Sequence, residues 1–163
     1  GVFYLEKKIK RNNLKIIKYK PKYKKDLKRL SYKWLNKYNL YEEEDKLILD
    51  NPEEYILDKG GYIFFVKYQN KIIATISLIP AEDRVYELAK LAVDEEYQGK
   101  KIGSLLVKKV IKVARNENAK KIILYSNSKL TSAYKLYKKF SFKEVDLENN
   151  KYETADIKME VIL

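Results

Sequence analysis

Leu91-Ala92-Val93-Asp94-Glu95-Glu96-Tyr97-Gln98-Gly99-Lys100-Lys101-Ile102-Gly103-Ser104 is the stretch whose reading decides the fold. It leaves an apolar strand, crosses a polar turn and enters a helix over Gly99–Asn116. In that helix Ile102, Leu105, Leu106, Val110 and Val113 recur at helical spacing and form an inward face. The turn is expected to gather backbone N–H groups from about Gln98 to Ser104 around one point. With the helix N-terminus they form a nest suited to a phosphate or pyrophosphate. Lys100 and Lys101 add positive charge at its rim, and Gly99 and Gly103 present no Cβ to a ligand. Spacing alone leaves a plain strand–turn–helix joint equally open. A dinucleotide fingerprint would need G-x-G-x-x-G after an early strand, and no G-x-x-x-x-G-K-S/T is present.

Upstream, Arg84–Val93 reads as a strand preceded by two others, Tyr62–Tyr68 and Lys71–Ile79. Only Gln69-Asn70 separates that pair, which predicts an antiparallel hairpin. Leu14–Tyr19 alternates as a half-buried strand does, and Pro21 opens a helix carrying Leu27, Leu30, Trp34, Leu35 and Tyr38 at helical spacing. The acidic run Glu42–Asp45 reads as a solvated patch or as an attractor for a cationic substrate. Asn51-Pro52-Glu53-Glu54 reads as the cap and first turn of a short second helix ended by Gly60-Gly61. Downstream come a strand at Lys121–Tyr125, a helix at Thr131–Lys139, and strands at Phe142–Leu147 and Ala155–Leu163. This order predicts an α/β fold: a mixed, mostly antiparallel central sheet of six to seven strands flanked by about four helices. Residues 14–163 are expected to form one domain, with 1–13 an N-terminal extension read as a solvated basic helix or tail.

Composition removes whole classes of chemistry. The 163 residues include no cysteine and no histidine, so thiolate catalysis, disulfides and histidine-based zinc sites are excluded. Acid and base must come from Asp, Glu, Tyr, Lys, backbone or water. The net charge of +12 invites a nucleic-acid partner. Against that, only Arg11, Arg29, Arg84 and Arg115 supply the guanidinium groups preferred for reading phosphates and bases. No apolar run approaches the roughly 20 residues that span a bilayer. No signal-peptide core is seen, and a cytoplasmic location is expected.

Two motifs at the right separation carry a resemblance. Gln98-Gly99-Lys100-Lys101-Ile102-Gly103-Ser104 resembles the cofactor signature Q/R-x-x-G-x-G/A of the GCN5-related N-acetyltransferase family. Ala133-Tyr134-Lys135-Leu136-Tyr137-Lys138-Lys139-Phe140-Ser141-Phe142 resembles that family's A-x-x-L-Y-x-K-x-G-F segment. Tyr125–Leu130 and Ala155–Glu160 are similar to a small bacterial subgroup. Two departures stand out, Lys101 and Ser141 where the family has glycine. Both are tolerated if Lys101 has helical backbone angles and the turn at Ser141 needs no left-handed residue.

The resemblance implies that the central strands ending near Val93 and starting near Lys121 splay apart to admit the pantetheine arm of acetyl-CoA, the acyl donor. Leu91, Ala92 and Val93 would flank that arm, with backbone groups of Leu91 and Val93 pairing with its amides. Gln98, Gly99, Lys100, Lys101, Ile102, Gly103 and Ser104 would hold the pyrophosphate, and Asn127 would line the channel or begin a turn. Tyr137 matches the family's general acid near the sulfur. Glu87 matches a position used as a base, and could instead bind the substrate ammonium or pair with a lysine. The implied reaction is direct acetyl transfer, in a ternary complex, to a primary amine of a small molecule or peptide; a homodimer is compatible with it. Two rivals remain: a non-catalytic acyl-CoA-binding sensor, which needs neither Tyr137 nor Glu87 at the site, and a basic nucleic-acid binder.

Overall fold

The computed structural model describes residues 9–148 and 152–163, so most of the expected N-terminal extension, residues 1–8, lies outside the described residues. The rest of that segment packs on the domain. Ile9 rests against the core, and Arg11 donates from Nη2 to the Lys100 carbonyl at 2.7 Å.

Seven strands form one sheet: β1 (Leu14–Lys18), β2 (Tyr62–Tyr68), β3 (Lys71–Glu82), β4 (Val85–Val93), β5 (Lys121–Ser126), β6 (Lys143–Val145) and β7 (Ile157–Ile162). Their spatial order is β1-β2-β3-β4-β5-β7-β6, and only β4 and β5 run parallel. The helices are α1 (Lys24–Lys37), α2 (Glu43–Asp50), α3 (Ile102–Asn116) and α4 (Thr131–Lys139). The mixed, mostly antiparallel α/β architecture is therefore as the sequence predicts. No helix among the described residues is long and apolar enough to cross a membrane.

Helices cover both faces of the sheet, which is why Ile72–Ile79 of β3 is buried at every position rather than at alternate ones. On one face Leu27 and Leu30 of α1 and Ile48 and Leu49 of α2 pack with Ile63, Phe65, Ile79 and Ala92. On the other, Ile102, Leu106 and Val110 of α3 and Ala133 and Tyr137 of α4 pack with Phe64, Ile76, Leu88, Leu124 and Met159. Each fully buried Leu, Ile or Phe contributes about 1.5–3 kcal/mol, so the sheet is clamped firmly between the layers.

One helix, Glu43–Asp50, was not expected. The second helix begins at Glu43, with the Glu42 N–H donating to Asp45 Oδ2 at 2.8 Å in its first turn. Glu42–Asp45 is therefore a helix start in which Glu43 and Glu44 stay exposed and Asp45 is buried. The short helix expected after Asn51-Pro52 is present as a single π-helical turn, Glu53–Leu57, closed by Gly60 at φ 88°.

The central strands part as expected. β4 and β5 pair only from Val85↔Lys121 to Glu87↔Ile123, whereas β5 stays paired with β7 as far as Ser126. The cause lies in β4. Thr75 faces Ala92 and Ser77 faces Ala89, so two residues of β4, Lys90 and Leu91, stand where β3 has only Ile76. Lys90 adopts φ 56°, and this bulge bends β4 away from β5.

Candidate active site

The parting of β4 and β5 opens a cleft of about 130 Å³ that passes through the sheet. Leu88, Ala89, Leu91 and Ala92 of β4 form one wall; Tyr125, Ser126 and Asn127 at the end of β5 form the other, with Leu130, Ala133 and Tyr137 beyond. On the α1–α2 side it meets Ser31, Trp34, Leu35, Glu42 and Asp45. Leu91, Ala92, Asn127, Glu87 and Tyr137, all proposed from sequence, share this one cavity. Val93 and Gln98 do not line it; they border a small adjoining recess with Trp34 and Lys37.

Strand alternation sets Glu87 and Tyr137 on opposite faces of the opening. Glu87 follows Tyr86 and precedes Leu88, whose side chain joins the α3–α4 core, so Glu87 faces α1 and α2. It is only 4% exposed. Tyr152 donates from its hydroxyl to Glu87 Oε2 at 2.7 Å, and the Tyr152 ring meets Tyr125 edge-on at 5.5 Å. Burial, and then the Glu87 carboxylate, push the Tyr152 phenol far above its ordinary value, so it stays protonated and donating. Tyr137 lies on the other face, 7% exposed, its ring 5.8 Å from that of Phe142. Burial alone pushes its phenol well above the ordinary value. A carboxylate and a protonated phenol thus flank one opening, which is what a reaction that removes one proton and returns another requires.

Three further groups border the cleft; the sequence singled out Glu42 and Asp45 as an attractor for a cationic substrate, but neither Lys90 nor Ser31. Lys90, on the bulge, forms an ion pair with Asp45 of α2 inside the cleft. Glu42 accepts from the Glu153 N–H at 3.1 Å and the Thr154 hydroxyl at 2.7 Å, tying the start of α2 to the segment before β7. The Ser31 hydroxyl is buried without a hydrogen-bond partner among the described residues, at a position lining the cleft. Tyr152 and Thr154 lie in an irregular stretch with no periodicity to mark them. The Glu42–Asp45 spacing was visible, and its capping role was the available signal.

The turn expected to bind phosphate has its own geometry. The Gln98 N–H donates to Glu95 O at 3.3 Å and its side-chain amide to Val93 O at 3.1 Å, so Gln98 seals the end of β4. Gly99 takes φ 74° with open space around it, and Lys101 caps α3 at φ 63°, ψ 22°. Lys101 therefore has left-handed, not helical, angles, which is the reason glycine suits this position. The same correction holds at Ser141, where φ is 70°. Gly103 serves packing: a Cβ there would lie 3.0 Å from Leu136 Cδ2 on α4. Ile102, Gly103 and Ser104 occupy the first turn of α3, whose N–H groups have no partner within the helix. Lys100 sits beside them, its carbonyl held by Arg11.

Asn127 uses both ends of its amide locally. It donates to Thr154 O at 2.6 Å and accepts from the Lys129 N–H at 2.9 Å, so it begins a turn while bordering the cleft. Ser128 N–H and hydroxyl both donate to Asp156, at 2.8 and 2.7 Å.

Comparison with known proteins bears on this arrangement. N-acetylaspartate synthetase of Xenopus tropicalis is 32% identical over 99 residues, covering 60% of this chain and 36% of that protein. Human N-acetyltransferase 8B is 26% identical over 100 residues, covering 58% of this chain and 44% of that protein. The chain thus spans less than half the length of these curated relatives. A crystal structure of a GNAT-family acetyltransferase from Staphylococcus aureus Mu50 superposes with a TM-score of 0.83 at 27% identity, covering 92% of this chain and 99% of that one. A family model described as Acetyltransferase (GNAT) family matches residues 29–142, from the middle of α1 to the aromatic packed on Tyr137. The chain belongs to the GNAT acetyltransferase family.

Proposed function

We propose that this cleft moves an acetyl group from acetyl-CoA to a primary amine of a small molecule or peptide, by direct transfer with both substrates bound. The observation that carries this reading is the placement of Glu87 and Tyr137 on opposite faces of one opening. A module that only bound acyl-CoA would need neither group there.

The residues present fit the donor. The walls of the cleft offer Leu88, Ala89, Leu91, Ala92, Leu130 and Ala133 to an extended, largely apolar arm. The parting of β4 from β5 leaves the β4 edge beyond Glu87 without a strand partner on that side, so backbone groups there can pair with amides of the arm. The first turn of α3 presents unpaired N–H groups, with Lys100 and Lys101 nearby, for the phosphate end. Bound acetyl-CoA supplies an activated acyl thioester.

The chain's own residues then manage protons and position. Glu87 takes a proton from the attacking amine, which must be neutral to form its C–N bond. Tyr137 returns a proton to the sulfur as the C–S bond breaks, and its raised phenol keeps that proton available at neutral pH. With no cysteine or histidine in the chain, a carboxylate and a phenol form a sufficient pair.

The test is release of free thiol from acetyl-CoA in the presence of polyamines, amino acids, aminoglycosides and peptides, with mass spectrometry of each acceptor. Turnover that adds one acetyl group to an amine supports the reading. Tight acetyl-CoA binding without turnover on any acceptor favours the sensor.

A further inference from the structure

We infer that Tyr152 is a positioning residue for the transfer: its hydroxyl, 2.7 Å from Glu87 Oε2, fixes the carboxylate at the cleft wall in the orientation that meets the incoming amine. This inference rests on the proposed role of Glu87 as proton acceptor.

The geometry behind it is a delivered side chain. Tyr152 comes from an irregular segment 65 residues away in sequence from Glu87. Three contacts on its C-terminal side hold that segment. Thr154 Oγ1 donates to Glu42 Oε2 at 2.7 Å, Asn127 donates to Thr154 O at 2.6 Å, and Asp156 accepts twice from Ser128. The edge-on contact with Tyr125 fixes the ring plane. A carboxylate on a strand turns readily about its terminal torsion. A rigid phenol whose own backbone is pinned removes that freedom by donating a hydrogen bond to one carboxylate oxygen.

Other charges face the same cavity. Lys90 of β4 and Asp45 of α2 pair with one another, Glu42 stands at the start of α2, and Tyr137 borders the far side. Glu44 of α2 also acts on the Tyr152 phenol. On the same face of the neighbouring strands, Lys121 pairs with Glu160 and Lys158 lies over the Tyr125 ring.

The experiment compares wild type, Tyr152→Phe, Glu87→Gln and the double variant on an acceptor that wild type acetylates, measuring kcat and KM for acetyl-CoA. Tyr152→Phe keeps the ring and its contact with Tyr125, so folding is preserved. Its kcat is expected to fall about tenfold, while KM for acetyl-CoA stays within about twofold. In the Glu87→Gln background, Tyr152→Phe is expected to cause little additional loss, since the two act as one unit. A Tyr152→Phe kcat equal to that of wild type, with Glu87→Gln inactive, overturns the inference and leaves the role of Glu87 standing. Full activity in Glu87→Gln overturns the underlying reading instead. Equal losses from Tyr152→Phe with and without Glu87 assign Tyr152 a purely structural part, which also overturns it.

Discussion

Lys90 and Asp45 form an ion pair in which both side chains are about nine-tenths buried, at 10% and 8% exposure, across the gap between β4 and α2. It locks the bulged, left-handed residue of β4 to α2, whose first turn lines the cleft. The bulge that opens the cleft and the helix that lines it are therefore held in register by one contact.

Breaking that pair leaves an uncompensated buried charge. Asp45→Ala is expected to lower stability by about 3–5 kcal/mol, read as a reduced urea midpoint. Replacing both partners with apolar residues, as in Lys90→Met with Asp45→Leu, is expected to recover much of that loss.

Lys101 and Ser141 both carry positive φ, a conformation that costs a non-glycine residue about 1–2 kcal/mol. Lys101→Gly and Ser141→Gly are each expected to raise stability by about 1 kcal/mol, partly offset by greater freedom of the unfolded chain. Thermal denaturation is the check, and a lowered Tm in either variant would contradict it.

Tyr137 has its phenol raised by burial, so the folded chain holds that proton where the unfolded chain, with a value near 10, would release it. The corresponding stability is fully present below about pH 10 and is lost as pH rises beyond it. Alkaline unfolding curves should accordingly be less steep for Tyr137→Phe than for wild type. For the same reason kcat is expected to show no loss assignable to Tyr137 ionisation up to pH 9.

Ser77 lies within β3 with its hydroxyl buried and without a hydrogen-bond partner among the described residues. Ser77→Ala removes that unsatisfied group and is expected to be neutral or to stabilise by about 1 kcal/mol. Ser31 has the same buried, unpartnered hydroxyl but borders the cleft. Ser31→Ala should match Ser77→Ala in stability, and a separate rise in KM for the amine would mark contact with the acceptor.

Much of this was legible because local chemistry and the global fold agree. Helix α4 runs from Thr131 to Lys139, and the Gln69-Asn70 turn joins β2 to β3, both as periodicity and turn length predict. The turn from Gln98 into α3 and the place of Tyr137 on α4 beside the cleft were legible through motif spacing. What was hidden depends on long-range pairing. Lys90 looks like an exposed strand lysine until the bulge turns it toward Asp45, 45 residues earlier. Tyr152 sits in a stretch with no pattern, and its meaning arises only where the segment before β7 crosses Glu87. Helix α2 was missed because its E-x-x-D cap at Glu42 is a weaker start signal than Pro52, which does open a helical turn.

The most direct test of the central claim measures kcat on an acetylated amine and acetyl-CoA affinity together, for wild type, Tyr137→Phe and Glu87→Gln. The account predicts that each substitution lowers kcat by at least about tenfold, as loss of a general acid or base does, while acetyl-CoA affinity stays within about threefold. Both variants turning over at the wild-type rate would contradict it, and would place the chemistry somewhere other than the opening between β4 and β5.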